Sequence, residues 1–387
     1  MRILVASHTY IVDLNCAKLR SLAKLGAEVT VIVPQCWRPG GIQNRMVQPK
    51  PLQEGGFRRI PLPHWSQNNQ GLLTFKAEII PLLRRFRPQI IHVEQGAKAL
   101  GYSQLITLNK LLRIRAKNCF FTWWNLPYTN ALPVAWLERY NLANTHGLIA
   151  GNQDGLKILH DHGYRRAATV LPQLGVDETL FRPAPQPALR AQLGIPPEMF
   201  VVGFVGRFVV EKGLLTLIRA MAGLTEQPWR LLLLGRGPIR EELQALAGQL
   251  GIGDRLIWVE SVPHDAVPRY INVMNTLVLP SETNTEFATL TARGWKEQFG
   301  HVLIEAMACK IPVIGSDSGE IPHVIDTTGL VFPEGNIEAL RDLLARLISQ
   351  PSLANDLGER GYQRVQERYT NDAIARQQLA FYQQLWQ

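Results

Sequence analysis

A chain of 387 residues exceeds what one hydrophobic core usually organises, so two domains of ordinary size are expected. With 46% apolar and 19% charged residues the composition excludes a disordered chain, and no apolar run approaches the roughly 20 residues of a membrane span. The net charge of +9 would point to nucleic acid, but it is lopsided: residues 1–180 hold 22 Lys and Arg against 10 Asp and Glu, and the remainder hold 19 against 22.

The first half alternates strand and helix. Residues 3–6 form an apolar stretch too short for a signal-peptide core and suited to a first buried strand, which reads as a cytoplasmic protein. A helical pattern follows over 14–25, then apolar strands at 27–33, 90–93, 120–124 and 148–150. Strands apolar throughout and separated by helices indicate a parallel sheet covered on both faces. Five prolines between Pro183 and Pro197 mark 181–198 as a linker. The pattern restarts with strands at 201–205, 231–234, 256–259, 276–279 and 312–314, and helices at 214–222 and 240–250. The predicted architecture is therefore α/β: two doubly wound, Rossmann-like domains, 1–180 and 199–370, facing across a cleft. From residue 337 the chain is nearly all helical. A final helix over 371–387 ends in Phe381, Tyr382 and Trp386, an apolar end expected to pack back toward the first domain. Cys16, Cys36, Cys119 and Cys309 show no paired spacing, so they are read as reduced and structural, with neither a disulfide framework nor a zinc site.

The densest chemistry lies in Glu297-Gln-Phe-Gly-His-Val-Leu-Ile-Glu305, two carboxylates around a Phe-Gly turn that opens a helix. Backbone N–H groups and the positive end of the helix dipole between those acids suit the diphosphate of a nucleotide sugar. A second segment, Gly203-Phe-Val-Gly-Arg207-Phe-Val-Val-Glu-Lys212-Gly213, places two cations just outside the carboxyl end of a predicted strand, where open parallel sheets bind ligands. Arg207 can fork two phosphate oxygens, Lys212 supplies a point charge, and Gly206 lets the backbone approach closely. Two cations and a helix N-terminus can balance a diphosphate, so neither metal nor cofactor is called for. A βα turn with two solvated cations is the alternative for either segment alone. Gly235 and Gly237 hint at a dinucleotide loop, but the third glycine is missing.

Taken in order, Gly206-Arg207, Lys212-Gly213, the run ending at Gly237-Pro238, Pro280-Ser281, Glu297 to Cys309 and Pro312 to Pro322 resemble the family 4 retaining glycosyltransferases of the GT-B fold. The match runs from about Val170 to about Pro333; the first half is similar mainly in architecture. The resemblance implies that Arg207 and Lys212 grip the donor diphosphate, that Glu297 bonds hydroxyls of the transferred sugar, and that Glu305 holds the ribose. It places Phe299, Gly300, His301 and Val302 in the sugar and phosphate cradle, and Glu260 and Val262 beside the nucleobase. It also implies retention of configuration, the departing phosphate accepting the acceptor's proton.

The acceptor side departs from the commonest family pattern. The first strand ends in Ser7-His8-Thr9-Tyr10 without a glycine pair, and a later one ends in Trp123-Trp124-Asn125 without histidine. His8, Glu94 and Asn125 sit at or just past strand ends, and Trp124 could stack on a sugar ring. Residues 282–296, with Thr283, Asn284, Thr285, Thr289, Thr291, Arg293 and Trp295, lengthen the connection before Glu297 and are expected to cover the donor sugar. Arg84, Arg85 and Arg87, and Arg113, Arg115 and Lys117, end two predicted helices. They suit a peripheral contact with an anionic membrane, or simply face water at helix C-termini. The leading reading is transfer from a nucleotide-sugar donor to a glycan, lipid-linked or small-molecule acceptor. A sugar-nucleotide epimerase and a non-catalytic nucleotide-sugar or nucleic-acid binder stay open as alternatives, although aromatic and basic residues interleave poorly for nucleic acid.

Overall fold

The computed structural model describes residues 1–39, 45–288 and 293–387. They form two compact units, Met1–Gly175 with Asn371–Gln387, and Val176–Thr370.

The first unit is built on an eight-stranded sheet in the order Ala167–Val170, Gly147–Ala150, Lys117–Thr122, Ile90–Val93, Arg2–Ala6, Glu28–Pro34, Phe57–Leu62, Leu52–Glu54. All neighbours are parallel except the last pair. Alternation along the first strand shows why both faces are apolar: Ile3 and Val5 belong to one buried cluster, Leu4 and Ala6 to the other. The helix Asn371–Trp386 closes the first of these faces with Phe381, Tyr382 and Leu385, so the apolar tail docks as expected except at Trp386, which is 40% exposed while Leu385 packs in its stead. The helix expected over 14–25 is shorter, a 3-10 turn at Asp13–Cys16 followed by Ala17–Lys24. The strand Phe57–Leu62 was not anticipated, because its two arginines and a proline break the apolar run. Arg59 is nonetheless buried, donating to the Tyr10 carbonyl at 3.4 Å and to Asp13 Oδ1 at 3.2 Å.

The second unit has six parallel strands in the order Leu256–Val259, Trp229–Leu234, Phe200–Val205, Thr276–Leu279, Val313–Ser316, Leu330–Phe332. The direction of progression reverses between Phe200–Val205 and Thr276–Leu279. That reversal is a topological switch point, and the ends of those two strands are where such sheets bind ligands. The proline-rich stretch is folded onto this unit. Pro187 opens the helix Pro187–Gln192, a first-turn position that needs no N–H. Arg190 then ties the segment down by donating to the carbonyls of Met199, Pro196 and Val273. Among the described residues no helix is long and apolar enough to cross a membrane. All four cysteines are free thiols.

Candidate functional site

At the switch point of the second unit, the strand Phe200–Val205 runs out into Gly206 and Arg207, and a 3-10 turn at Val210–Lys212 presents Lys212. Gly213 then starts the helix Leu214–Ala222 in the left-handed region at φ +64°. A side chain there would stand 1.8 Å from the Pro280 carbonyl, so only glycine lets the two strand ends close on each other. The Glu282 N–H bonds the Glu211 carbonyl at 2.9 Å and completes the contact.

Glu297 is the hub. Its Oε2 takes Lys212 Nζ at 2.5 Å and the Ser281 hydroxyl at 2.8 Å, and it is 7% exposed. The Ser316 hydroxyl donates to the Ser281 carbonyl at 2.5 Å, so the ends of three strands are joined by one chain of polar contacts. The backbone of Glu297 is clasped as well. Glu320 N–H reaches its carbonyl at 3.3 Å, and Gly319, at φ +59°, lies so close that an added Cβ would stand 1.8 Å from that oxygen. Past Phe299, Gly300 adopts the left-handed conformation at φ 82° and caps the helix His301–Ala308, offering no side-chain oxygen to its first N–H groups. The buried Phe299 ring packs 4.8 Å from His301 and 5.7 Å from Tyr369, which fixes the turn. Val302 follows in the first helical turn.

Glu305, one turn further, lies 3.5 Å from His264 Nε2. The bond to Glu305 raises the His264 pKa above the ordinary histidine value against an opposing effect of burial. Phe181 packs edge-on against the same imidazole at 5.3 Å. At the neighbouring sheet edge, Glu260 follows the strand Leu256–Val259 and pairs with Arg240 at 3.1 Å, and Val262 is half-buried two residues on. Arg207 is more exposed than Lys212, and its contact within the unit is to Glu211 at 4.0 Å. The structure therefore joins Lys212 to Glu297 directly and gives Arg207, Glu305 and Glu260 separate partners.

The acceptor-side candidates Glu94, Asn125, Trp124 and His8 belong to the first unit. Glu94, just past the strand Ile90–Val93, is fully buried. Tyr10 Oη donates to its Oε1 at 2.8 Å, Gln173 Nε2 to its Oε2 at 2.7 Å, and Lys18 Nζ and His92 Nε2 stand at 3.6 and 3.5 Å. Burial alone would push this carboxyl up, but Lys18, His92 and Gln173 outweigh it and hold it at about 2. Its carboxylate is thus engaged by partners of the first unit itself, contacts the strand-end position did not reveal. Asn125 is buried beyond the strand Lys117–Thr122. Next to it, Trp124 bonds the Leu126 carbonyl at 2.6 Å and carries Lys98 Nζ 4.9 Å from its ring. His8 packs 4.9 Å from the Trp37 ring, and burial lowers its pKa.

Ser281, His264 and Gly319 were not singled out as site residues from the sequence. Ser281 carried a signal in the Pro-Ser pair after a strand; His264, 41 positions before Glu305 in the chain, carried none. Of the inserted residues 282–296, Thr289 and Thr291 lie outside the described residues. Those described form a hairpin of Asn284–Ala288 and Arg293–Trp295. Among the described residues no group of three or more His, Cys, Asp or Glu side chains is placed to hold a metal ion.

Comparison with known proteins follows the same division. Residues 185–364 match the family model described as glycosyl transferases group 1. A D-inositol 3-phosphate glycosyltransferase from Saccharomonospora viridis is 31% identical over 237 residues, covering 57% of this chain and 52% of that protein. The chain spans about half the length of the curated relatives it matches. A sucrose-phosphate synthase from Thermosynechococcus elongatus superposes with a TM-score of 0.70 at 23% identity, over 100% of this chain and 99% of that one. Anabaena HepE in complex with UDP does so with a TM-score of 0.72 at 16% identity, over 99% of each chain, and the same protein is known with UDP-glucose. The chain thus has the α/β GT-B fold of two Rossmann-like domains, and its second unit carries the sequence similarity to group 1 glycosyl transferases.

Proposed function

We propose that this chain is a retaining, metal-independent glycosyltransferase that moves a sugar from a nucleotide-sugar donor to a glycan, lipid-linked or small-molecule acceptor. The observation that carries the reading is the Lys212, Glu297 and Ser281 cluster at the switch point, beside the helix that begins at His301 and bears Glu305. As the anomeric C–O bond breaks, its electron pair goes to the diphosphate. Fixed cations and N–H dipoles at that point stabilise the transition state more than the bound donor. Lys212 and Arg207 supply the charge, which supports a reaction without a metal ion; Glu297 orients the sugar and Glu305 the ribose. The acceptor hydroxyl attacks from the face the nucleotide leaves, and the departing phosphate takes its proton. The UDP and UDP-glucose complexes of Anabaena HepE support a nucleotide-sugar donor, and the S. viridis relative's name supports a small polar acceptor.

The test is incubation with a panel of nucleotide sugars and candidate acceptors, with and without a chelator, the product's anomeric configuration being read by NMR. Nucleoside diphosphate release with a product of unchanged configuration supports the proposal. An epimerised donor, or no change in any donor, counts against it.

A peripheral membrane contact is part of the same proposal. Arg87, past the end of one basic helix, donates to the Arg113 carbonyl past the end of the other at 3.5 Å, a nearness that supports this reading. Co-sedimentation with anionic vesicles at low salt is expected, and its absence would remove this part alone.

A further inference from the structure

The hairpin that separates Ser281 from Glu297 is anchored to the same turn that presents Lys212. At its base the Glu282 N–H bonds the Glu211 carbonyl, Thr216 Oγ1 donates to Glu282 Oε1 at 2.5 Å, and the Thr283 N–H reaches Glu334 Oε2 at 2.5 Å. The returning arm ends at Trp295, paired in register with Asn284. Its half-buried ring lies 5.0 Å from Lys212 Nζ, and that nitrogen is itself 2.5 Å from Glu297. One ammonium is thus bracketed by a π face and a carboxylate, both delivered by the chain that leaves the hairpin.

A lysine ammonium on a flexible four-carbon stem has no preferred direction of its own. Glu297 alone would draw it toward that carboxylate. An aromatic face attracts the cation from a second side without spending any of its N–H donors, so those donors stay available to a ligand. We propose that Trp295 is a positioning residue for Lys212, so that the inserted hairpin, and not only the turn bearing the lysine, sets where the diphosphate is gripped. The inference rests on the reading of Lys212 as a diphosphate ligand.

The test is binding of uridine, guanosine and adenosine diphosphates, by calorimetry, to the wild-type chain and to Trp295→Leu, Trp295→Phe, Lys212→Met and the Trp295→Leu/Lys212→Met double variant. Leucine keeps apolar bulk and loses the π face, whereas phenylalanine keeps both. Trp295→Leu is expected to weaken the best-bound diphosphate by about three- to tenfold, Trp295→Phe to stay within about twofold of wild type, and Trp295→Leu to have less than about a twofold effect once Lys212 is gone. Equal losses from Trp295→Leu with and without Lys212, or full affinity in Trp295→Leu, would overturn the role of Trp295 and leave the site reading standing. A wild-type chain that binds none of the three diphosphates would defeat the site reading and this inference with it.

Discussion

Replacing Glu94 with glutamine removes the one negative charge in a buried cluster of the first unit. The wild-type carboxylate accepts from Tyr10 and Gln173 and faces Lys18, which is 2% exposed. A carboxyl held at about 2 against an ordinary 4.5 corresponds to about 3 kcal/mol of stability at neutral pH. Removing one partner of a buried pair independently suggests about 3–5 kcal/mol, because Lys18 would stay buried without an anion. Because the folded carboxyl titrates below the unfolded one, its contribution is present above about pH 4.5 and is lost as pH falls toward about 2. Urea unfolding of wild type and Glu94→Gln at about pH 7 and about pH 3 should show a gap near 3 kcal/mol that narrows in acid, a large part of the roughly 5–15 kcal/mol typical of a domain. A gap under about 1 kcal/mol at neutral pH, or one that does not shrink in acid, would refute the assignment of Glu94 to a structural pair.

Gly319→Ala forces a Cβ against the Glu297 carbonyl from a left-handed backbone, so the melting temperature should fall by the equivalent of about 2 kcal/mol or more, with nucleotide binding weakened too; a neutral outcome would mean the turn does not clasp Glu297 as described. His264 has a raised folded pKa, so the stability its pair with Glu305 contributes is fully present below about pH 6.5 and lost as pH rises through the folded value. The melting advantage of wild type over His264→Gln should therefore decline as pH rises above the ordinary histidine value of about 6.5. It should stay under about 1 kcal/mol because the imidazole is half-exposed, and a pH-independent difference would contradict the pairing.

The second unit was the more legible in the sequence. Its strands Leu256–Val259 and Thr276–Leu279 and its helix Leu214–Ala222 fall where expected, because each is an apolar run or stripe bounded by glycine, proline or charge. The nearness of Lys212 to Glu297 was implied only by both lying at the carboxyl edge of one sheet, which constrains place and not contact. Phe57–Leu62 was hidden by arginines that the fold buries through side-chain partners, and 181–198 by prolines that start a helix instead of loosening the chain. Glu94 shows the limit most clearly. Its strand-end position was legible, but its partners were not: Lys18, which faces it with opposite charge, and Gln173, which donates to it, come from 76 positions before and 79 after. Trp295 could be named as part of an insertion, but nothing in its spacing connected it to Lys212.

The central claim is that Lys212 receives the negative charge of a departing nucleoside diphosphate. The most direct measurement is donor breakdown by Lys212→Met beside wild type, using whichever nucleotide sugar the wild-type chain turns over best. Charge-assisted bonds to the leaving group predict a loss in kcat/KM of about 10- to 150-fold with the fold retained by circular dichroism. A folded Lys212→Met variant as active as wild type would contradict the claim.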